Sequence, residues 1–243
     1  MGIKQLYGAE ERHNGKHTQW LTTGGGILHE EMFDMGFKNF FQPCDQELYQ
    51  LWLNLPSQEK LVPPRIDLLG GDDETPCVKV TDADGRSTET IVIAGKYGGK
   101  SSSAPIRSDL AILHVQMEPG TVWKHTLPAS HETATLYMRR GSIETEGTRV
   151  PAHHTVFFGA QGSDMTITAQ DDGADFLLLA GEPLREPIAA QGSMVMNHPN
   201  EINEAYQDYE MGKMGRPWGE KLTDEEWTAH VQQFPSLYDV QRR

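Results

Sequence analysis

Between Cys77 and Ala180 the chain is cut into short segments rich in β-branched and aromatic residues, and that rhythm restricts the fold more than any other feature. The segments fall near 77–80, 89–94, 110–117, 135–140, 155–158, 165–169 and 175–180. Turn formers separate them: Asp84-Gly85, Gly98-Gly99, Pro119-Gly120, Gly141, Gly147, Gly162 and Asp172-Gly173. Many short strands at such spacing predict a β-sandwich or barrel. Upstream, Leu51, Leu53 and Leu55 alternate with Gln50, Trp52 and Asn54, which predicts one more strand, ended by Pro56. Pro63-Pro64 cannot continue a central strand and marks a linker.

After the β-rich stretch the period changes. Ile202, Ala205, Tyr206 and Tyr209 make one apolar face of a helix over 201–211, with Asn197 or Asn200 as cap and Gly212 as stop. Thr223-Asp-Glu-Glu226 is a capping box ahead of a second helix from Trp227 to Phe234.

The 243 residues allow one large or two small domains. A net charge of −14, from 35 acids against 21 bases, argues against direct binding of nucleic acid, which needs clustered Lys and Arg. The longest apolar run is too short for a membrane-spanning helix, so no membrane partner is expected. No secretory h-region follows Met1, and Cys44 and Cys77 are too few for a disulfide framework. A cytoplasmic or nuclear location is the expectation.

The stretch with most chemical content is Trp20-Leu-Thr-Thr-Gly-Gly-Gly-Ile-Leu-His-Glu-Glu-Met32. Gly24-Gly25-Gly26 tolerates positive φ and lets other backbone approach. Ile27 and Leu28 favour an extended run, on which His29 and Glu31 would share a face. An imidazole and a carboxylate at one point are half of a mixed N/O site suited to Fe(II). The alternative is a satisfied histidine beside two solvated glutamates. Elsewhere His114, His125 and His131 show no His-x-His spacing and read as packing or solvated histidines without metal, and His153-His154 face opposite ways. His13 and His17 fall in a turn around Asn14-Gly15. No nucleophile elbow or phosphate loop is present.

Residues 20–31 resemble the Trp-Met-Thr-Ala-Gly-x-Gly-Ile-x-His-x-Glu stretch of the pirins, which are bicupin proteins. Gln50-Leu-Trp-Leu-Asn-Leu-Pro56 with Pro63-Pro64-Arg65, then Gly181-Glu-Pro-Leu-Arg-Glu-Pro187, Val195-Met-Asn197 and Asp208-Tyr209, match later blocks in the family's order. The resemblance implies an all-β fold of double-stranded β-helix (cupin) barrels, with an incomplete N-terminal barrel over 1–64, a C-terminal barrel over 65–215 and a helical extension over 216–243. It implies one Fe(II) in the N-terminal barrel on three His and one Glu. His29 and Glu31 fall on two of those positions, with Glu31 also the proton acceptor in catalysis. The His-x-His pair that supplies the other two ligands is absent from this sequence. The activity implied is opening of flavonols such as quercetin by an iron-dependent dioxygenase. The alternatives implied are a nuclear transcriptional co-regulator working through transcription-factor partners, and a metal-less, non-catalytic cupin.

Overall fold

The computed structural model describes residues 11–13, 18–29, 31–33, 47–159 and 161–215, with Glu225 and Ala229. It divides into two compact units: Leu69–Arg185, and residues 1–68 with 186–243. Of the tail helix expected over 227–234 only Ala229, which is helical, is described, and the turn residues 14–17 lie outside the described residues.

The unit of residues 1–68 with 186–243 carries β1 (Glu11–His13), β2 (Thr18–Thr22) and β3 (Glu31–Phe33). It continues with a single 3₁₀ turn at Ser57–Glu59 and β4 (Arg65–Leu69). β1 pairs in parallel with β3, and β2 pairs with β4. His13 therefore belongs to a strand, opposite Phe33, and not to the expected turn.

The Leu69–Arg185 unit contains β5 (Cys77–Thr81), β6 (Ser87–Ala94), β7 (Lys96–Tyr97), β8 (Lys100–Ser101) and β9 (Leu110–Met117). It goes on with β10 (Val122–Thr126), β11 (Thr133–Thr145), β12 (Thr148–Pro151), β13 (Thr155–Phe157) and β14 (Asp164–Gly181). The eight-stranded sheet runs β12-β11-β14-β9-β6-β5, with β10 on β14 and β13 on β11. Two strands do double duty. β14 pairs through its first half with β10 and through its second with β9, while β11 pairs with β13 and then with β12. Between the halves the β11–β14 ladder slips register at Met138/Arg140 and again at Gly141/Ile143. Gly141 (φ 72°) and Gly173 (φ 70°) stand at this corner. A Cβ on Gly141 would lie 2.1 Å from the Gly173 carbonyl oxygen, so only glycine lets the two strands bend past one another. The turns expected at Gly141 and Asp172-Gly173 are thus bulges inside continuous strands. The segments expected as two strands, 165–169 and 175–180, are one strand. Local sequence marks a backbone irregularity, but cannot tell a reversal from a bend.

Bending folds the sheet over its own apolar face. Leu113, Val115, Leu136, Met138, Ile143, Ile167, Phe176 and Leu178 are fully buried there, around Trp123. Trp123 Nε1 donates to Thr90 Oγ1 at 3.0 Å, which satisfies its only polar side-chain atom.

After the barrel come β15 (Ala189–Gln191), β16 (Met194–Met196) and helix α1 (Pro199–Glu210). The helix begins two residues before the expected Glu201 and is capped at His198, not at Asn197 or Asn200. Pro199 suits the first turn, whose N–H groups have no helical partner, and Glu201 reaches back to the backbone N–H of Asn197 (3.0 Å) and His198 (2.6 Å). Gly212 takes φ 72° beyond the helix end, as expected.

The strand expected over 48–55 does not form; those residues are irregular up to the 3₁₀ turn. Leu51 (41% exposed) and Leu53 (43%) lie open, and so does Trp52 (66%) on the opposite parity. Alternation makes a strand only where a neighbour takes its hydrogen bonds and one face is covered, and among the described residues this run has no ladder partner. No helix among the described residues is long and apolar enough to cross a membrane.

Candidate functional site

The Gly24–Gly26 turn does what three consecutive glycines allow. Gly24 takes φ 50° and Gly26 φ 108°. The Gly25 N–H donates to the Val62 carbonyl at 2.9 Å, and a Cβ on Gly24 would lie 2.0 Å from that same oxygen. On the other side, a Cβ on Gly26 would lie 2.6 Å from Met214 Cγ, and the Leu28 N–H donates to the Met214 carbonyl at 3.0 Å. Two segments distant in sequence thus grip this turn from either side.

The expected strand through Ile27 and His29 is not present, because the amide of Leu28 is committed to Met214 and not to a ladder. His29 is exposed and precedes β3, while Glu31 opens β3 opposite Glu11. His29 thus lies in irregular backbone and Glu31 two positions further on, in β3.

A polar cluster beside the Val62 segment was not anticipated from sequence. The Glu186 carboxylate accepts from the Ser57 N–H (2.8 Å), the Ser57 hydroxyl (3.1 Å) and Asn197 Nδ2 (3.0 Å). The Ser57 backbone bond, with those from Asn197 and the Ser57 hydroxyl and the charge of Lys60, holds its pKa below the ordinary carboxylate value despite some desolvation. Lys60, itself buried, donates to Asn54 Oδ1 at 2.6 Å. Burial pushes the Lys60 ammonium down, against the opposing pull of Glu186 and Glu201. Asn54, Glu186 and Asn197 come from three motif blocks far apart in the chain, and only the fold brings them together.

The histidines of the Leu69–Arg185 unit take structural positions. His125 packs among Tyr97 (ring centroids 5.2 Å apart) and Trp123 (5.5 Å), and burial, then the charge of His131, lowers its pKa. His131 is buried with Nε2 3.1 Å from Asp109, which also accepts from the Ser130 hydroxyl at 2.5 Å. His114 Nε2 lies 2.8 Å from Asp175, which also takes Arg139 (2.5 Å) and Gln116 (3.2 Å). Burial alone would raise the Asp175 pKa; the bonds from His114 and Gln116 and the Arg139 charge outweigh it and hold the carboxyl below its ordinary range. His153 takes φ 63°, and its Nδ1 lies 3.4 Å from the Tyr137 hydroxyl.

The pirin C-terminal cupin domain matches residues 112–215. Pirin of Homo sapiens is 31% identical over 233 residues, covering 91% of this chain and 74% of its own. The chain belongs to the pirin family. A Pseudomonas aeruginosa protein provisionally named a quercetin 2,3-dioxygenase is 35% identical over 209 residues, 86% of this pirin and 70% of that protein. The crystal structure of a quercetin 2,3-dioxygenase from Acinetobacter baumannii superposes with a TM-score of 0.69 at 28% identity, covering 82% of this pirin and 67% of that chain. The barrel of this pirin is accordingly a cupin barrel.

A cupin of this class implies a metal, and His29 and Glu31 are donors that suit one in kind. His29 and Glu31 would supply an imidazole nitrogen and a carboxylate oxygen. Among the described residues no group of three His, Cys, Asp or Glu side chains is placed to hold an ion. Protein sites for such ions use three or more donors, and these two fall short of that number.

Proposed function

We propose that this pirin is of the quercetin 2,3-dioxygenase-like class, acting on a flavonol-like small molecule, with His29 and Glu31 as the positions through which iron would be held. The observation that carries the reading is the 35% identity over 209 residues with the Pseudomonas aeruginosa relative. The glycine turn followed by His29-x-Glu31 agrees with it. Iron, once bound by enough donors, supplies a Lewis acid and a template for the substrate hydroxyl and oxygen. Glu31 would accept the proton that the hydroxyl loses.

The test compares residues 1–243 with the same chain preceded by a His-x-His-bearing strand taken from a pirin relative. Iron content and aerobic consumption of quercetin are measured for both. The longer chain is expected to retain about one iron and to consume quercetin, with both lost in His29→Ala, whereas residues 1–243 do neither. An iron-loaded longer chain that leaves quercetin untouched would overturn the reading.

A second reading is favoured by the charge of −14: a nuclear or cytoplasmic co-regulator that binds basic transcription factors and not DNA itself. Recovery of such partners by the purified chain, undiminished by His29→Ala, would support it over the enzymatic one.

A further inference from the structure

The metal-ligating candidate sits on an irregular segment, and irregular segments hold a side chain only as well as their supports do. Both supports of the Gly24–Gly26 turn trace back to the stretch that follows the barrel. Met214, at its far end, is buried, and its carbonyl takes the Leu28 N–H directly before His29. Its side chain fills the space over Gly26 that any Cβ would occupy. At the near end, Glu186 holds Ser57 by two hydrogen bonds and Asn197 by one. Ser57 opens the 3₁₀ turn that leads through Lys60 to Val62, and Val62 supplies the carbonyl for Gly25. Between the ends, Tyr206 of α1 donates to the Gln191 carbonyl at 3.1 Å, tying the helix to the β15–β16 hairpin.

We propose that Glu186–Gly215 is a strap that positions His29, with Met214 as the positioning residue and Glu186 as its anchor; its consequence for the metal rests on the assignment of His29 made above. The strap grips the glycine turn from both flanks, directly through Met214 and indirectly through Ser57 and Val62. Glycine at 24 and 26 is required because the two gripping segments come closer than any side chain permits. The strap thereby converts a turn with little regular structure into a defined platform for an imidazole.

Amide hydrogen exchange in the metal-free 243-residue protein tests the mechanical claim. Met214→Ala is expected to speed exchange at Leu28 by about tenfold or more and to leave Leu113 and Leu178 in the barrel unchanged, with Met214→Leu restoring protection. Glu186→Ala is expected to speed exchange at Gly25 in the same local manner. Unchanged exchange at both Leu28 and Gly25 would overturn the strap. In the chain bearing the added His-x-His strand, Met214→Ala is then expected to weaken iron retention by about tenfold while the Leu69–Arg185 barrel stays folded, with Met214→Leu restoring retention. Faster exchange with undiminished iron retention would overturn the positioning role while leaving the dioxygenase reading intact. A longer parent chain that holds no iron would remove the His29 assignment, and the exchange result would still decide the strap.

Discussion

The two units of this pirin cohere by different physics. In Leu69–Arg185, large apolar side chains such as Phe176, Leu113 and Trp123 are fully buried between the layers of a bent sheet. In the other unit, the buried apolar side chains among the described residues are few, Ile202 and Met214, while Leu48, Trp52 and Leu61 lie open. Its cohesion among the described residues comes from a polar cluster at Glu186, the short strand pairs β1–β3, β2–β4 and β15–β16, and backbone seated against glycine. The unit with the apolar core carries histidines held against carboxylates, as His114 and His131 are, or packed among aromatic rings, as His125 is. The unit with the weaker core carries the candidate chemistry. Burying apolar surface is non-directional and tolerates no exposed ligand, whereas a metal-ligating residue must face an open space and be held by directional contacts instead.

The comparison breaks most readily at the barrel. Phe176→Ala is expected to cost about 3–5 kcal/mol, enough to unfold a marginal domain, because it removes a ring whose neighbours cannot collapse into the gap. Denaturant unfolding followed by the Trp123 fluorescence should show it; a change below about 1 kcal/mol would mean that the core is looser than its burial implies.

Gly141→Ala comes next. The left-handed backbone alone costs about 1–2 kcal/mol, and the added methyl must displace the Gly173 carbonyl oxygen, 2.1 Å from its ideal position. The same unfolding measurement checks it. A neutral outcome would show that the β11–β14 corner can straighten.

The pH dependence of the barrel tests its buried carboxylate. The Asp175 pKa is lowered in the folded state, so its contribution is present above the ordinary aspartate value and is lost as pH falls through the lowered one. Barrel stability should therefore decline in acid, below about pH 4, and Asp175→Asn should flatten that decline while leaving His114 and Arg139 with a weaker partner. An acid slope that is the same in the variant would assign it to other carboxylates.

The smallest expected effect falls on the candidate site itself. In residues 1–243, His29→Ala should change iron content and quercetin consumption hardly at all, since two donors leave most coordination positions to water. Metal analysis of the purified protein decides it. About one tightly held iron per chain would show that this pirin completes its site from its own residues, and His13, on the strand paired with β3, would be the first to substitute.

Much of the fold was legible along the chain. The strand at 110–117 and the helix ending before Gly212 follow from patterns that a few neighbouring residues establish, and the structure has them at Leu110–Met117 and Pro199–Glu210. The triple glycine announced a close backbone approach, and the motif blocks announced a pirin. Tertiary structure decided the rest, because each remaining outcome depends on a partner far away in sequence. Whether Gly141 and Gly173 reverse the chain or bend it depends on each other. Whether Leu51, Trp52 and Leu53 form a strand depends on a neighbouring ladder, which the described residues lack. Whether Leu28 extends or turns depends on the carbonyl of Met214. The sequence by itself determined which residue types could build a barrel and bind a metal; only the fold decided that the support for His29 would come from the opposite end of the chain, because hydrogen bonds and close contacts are set by distance in space and not by distance along the backbone.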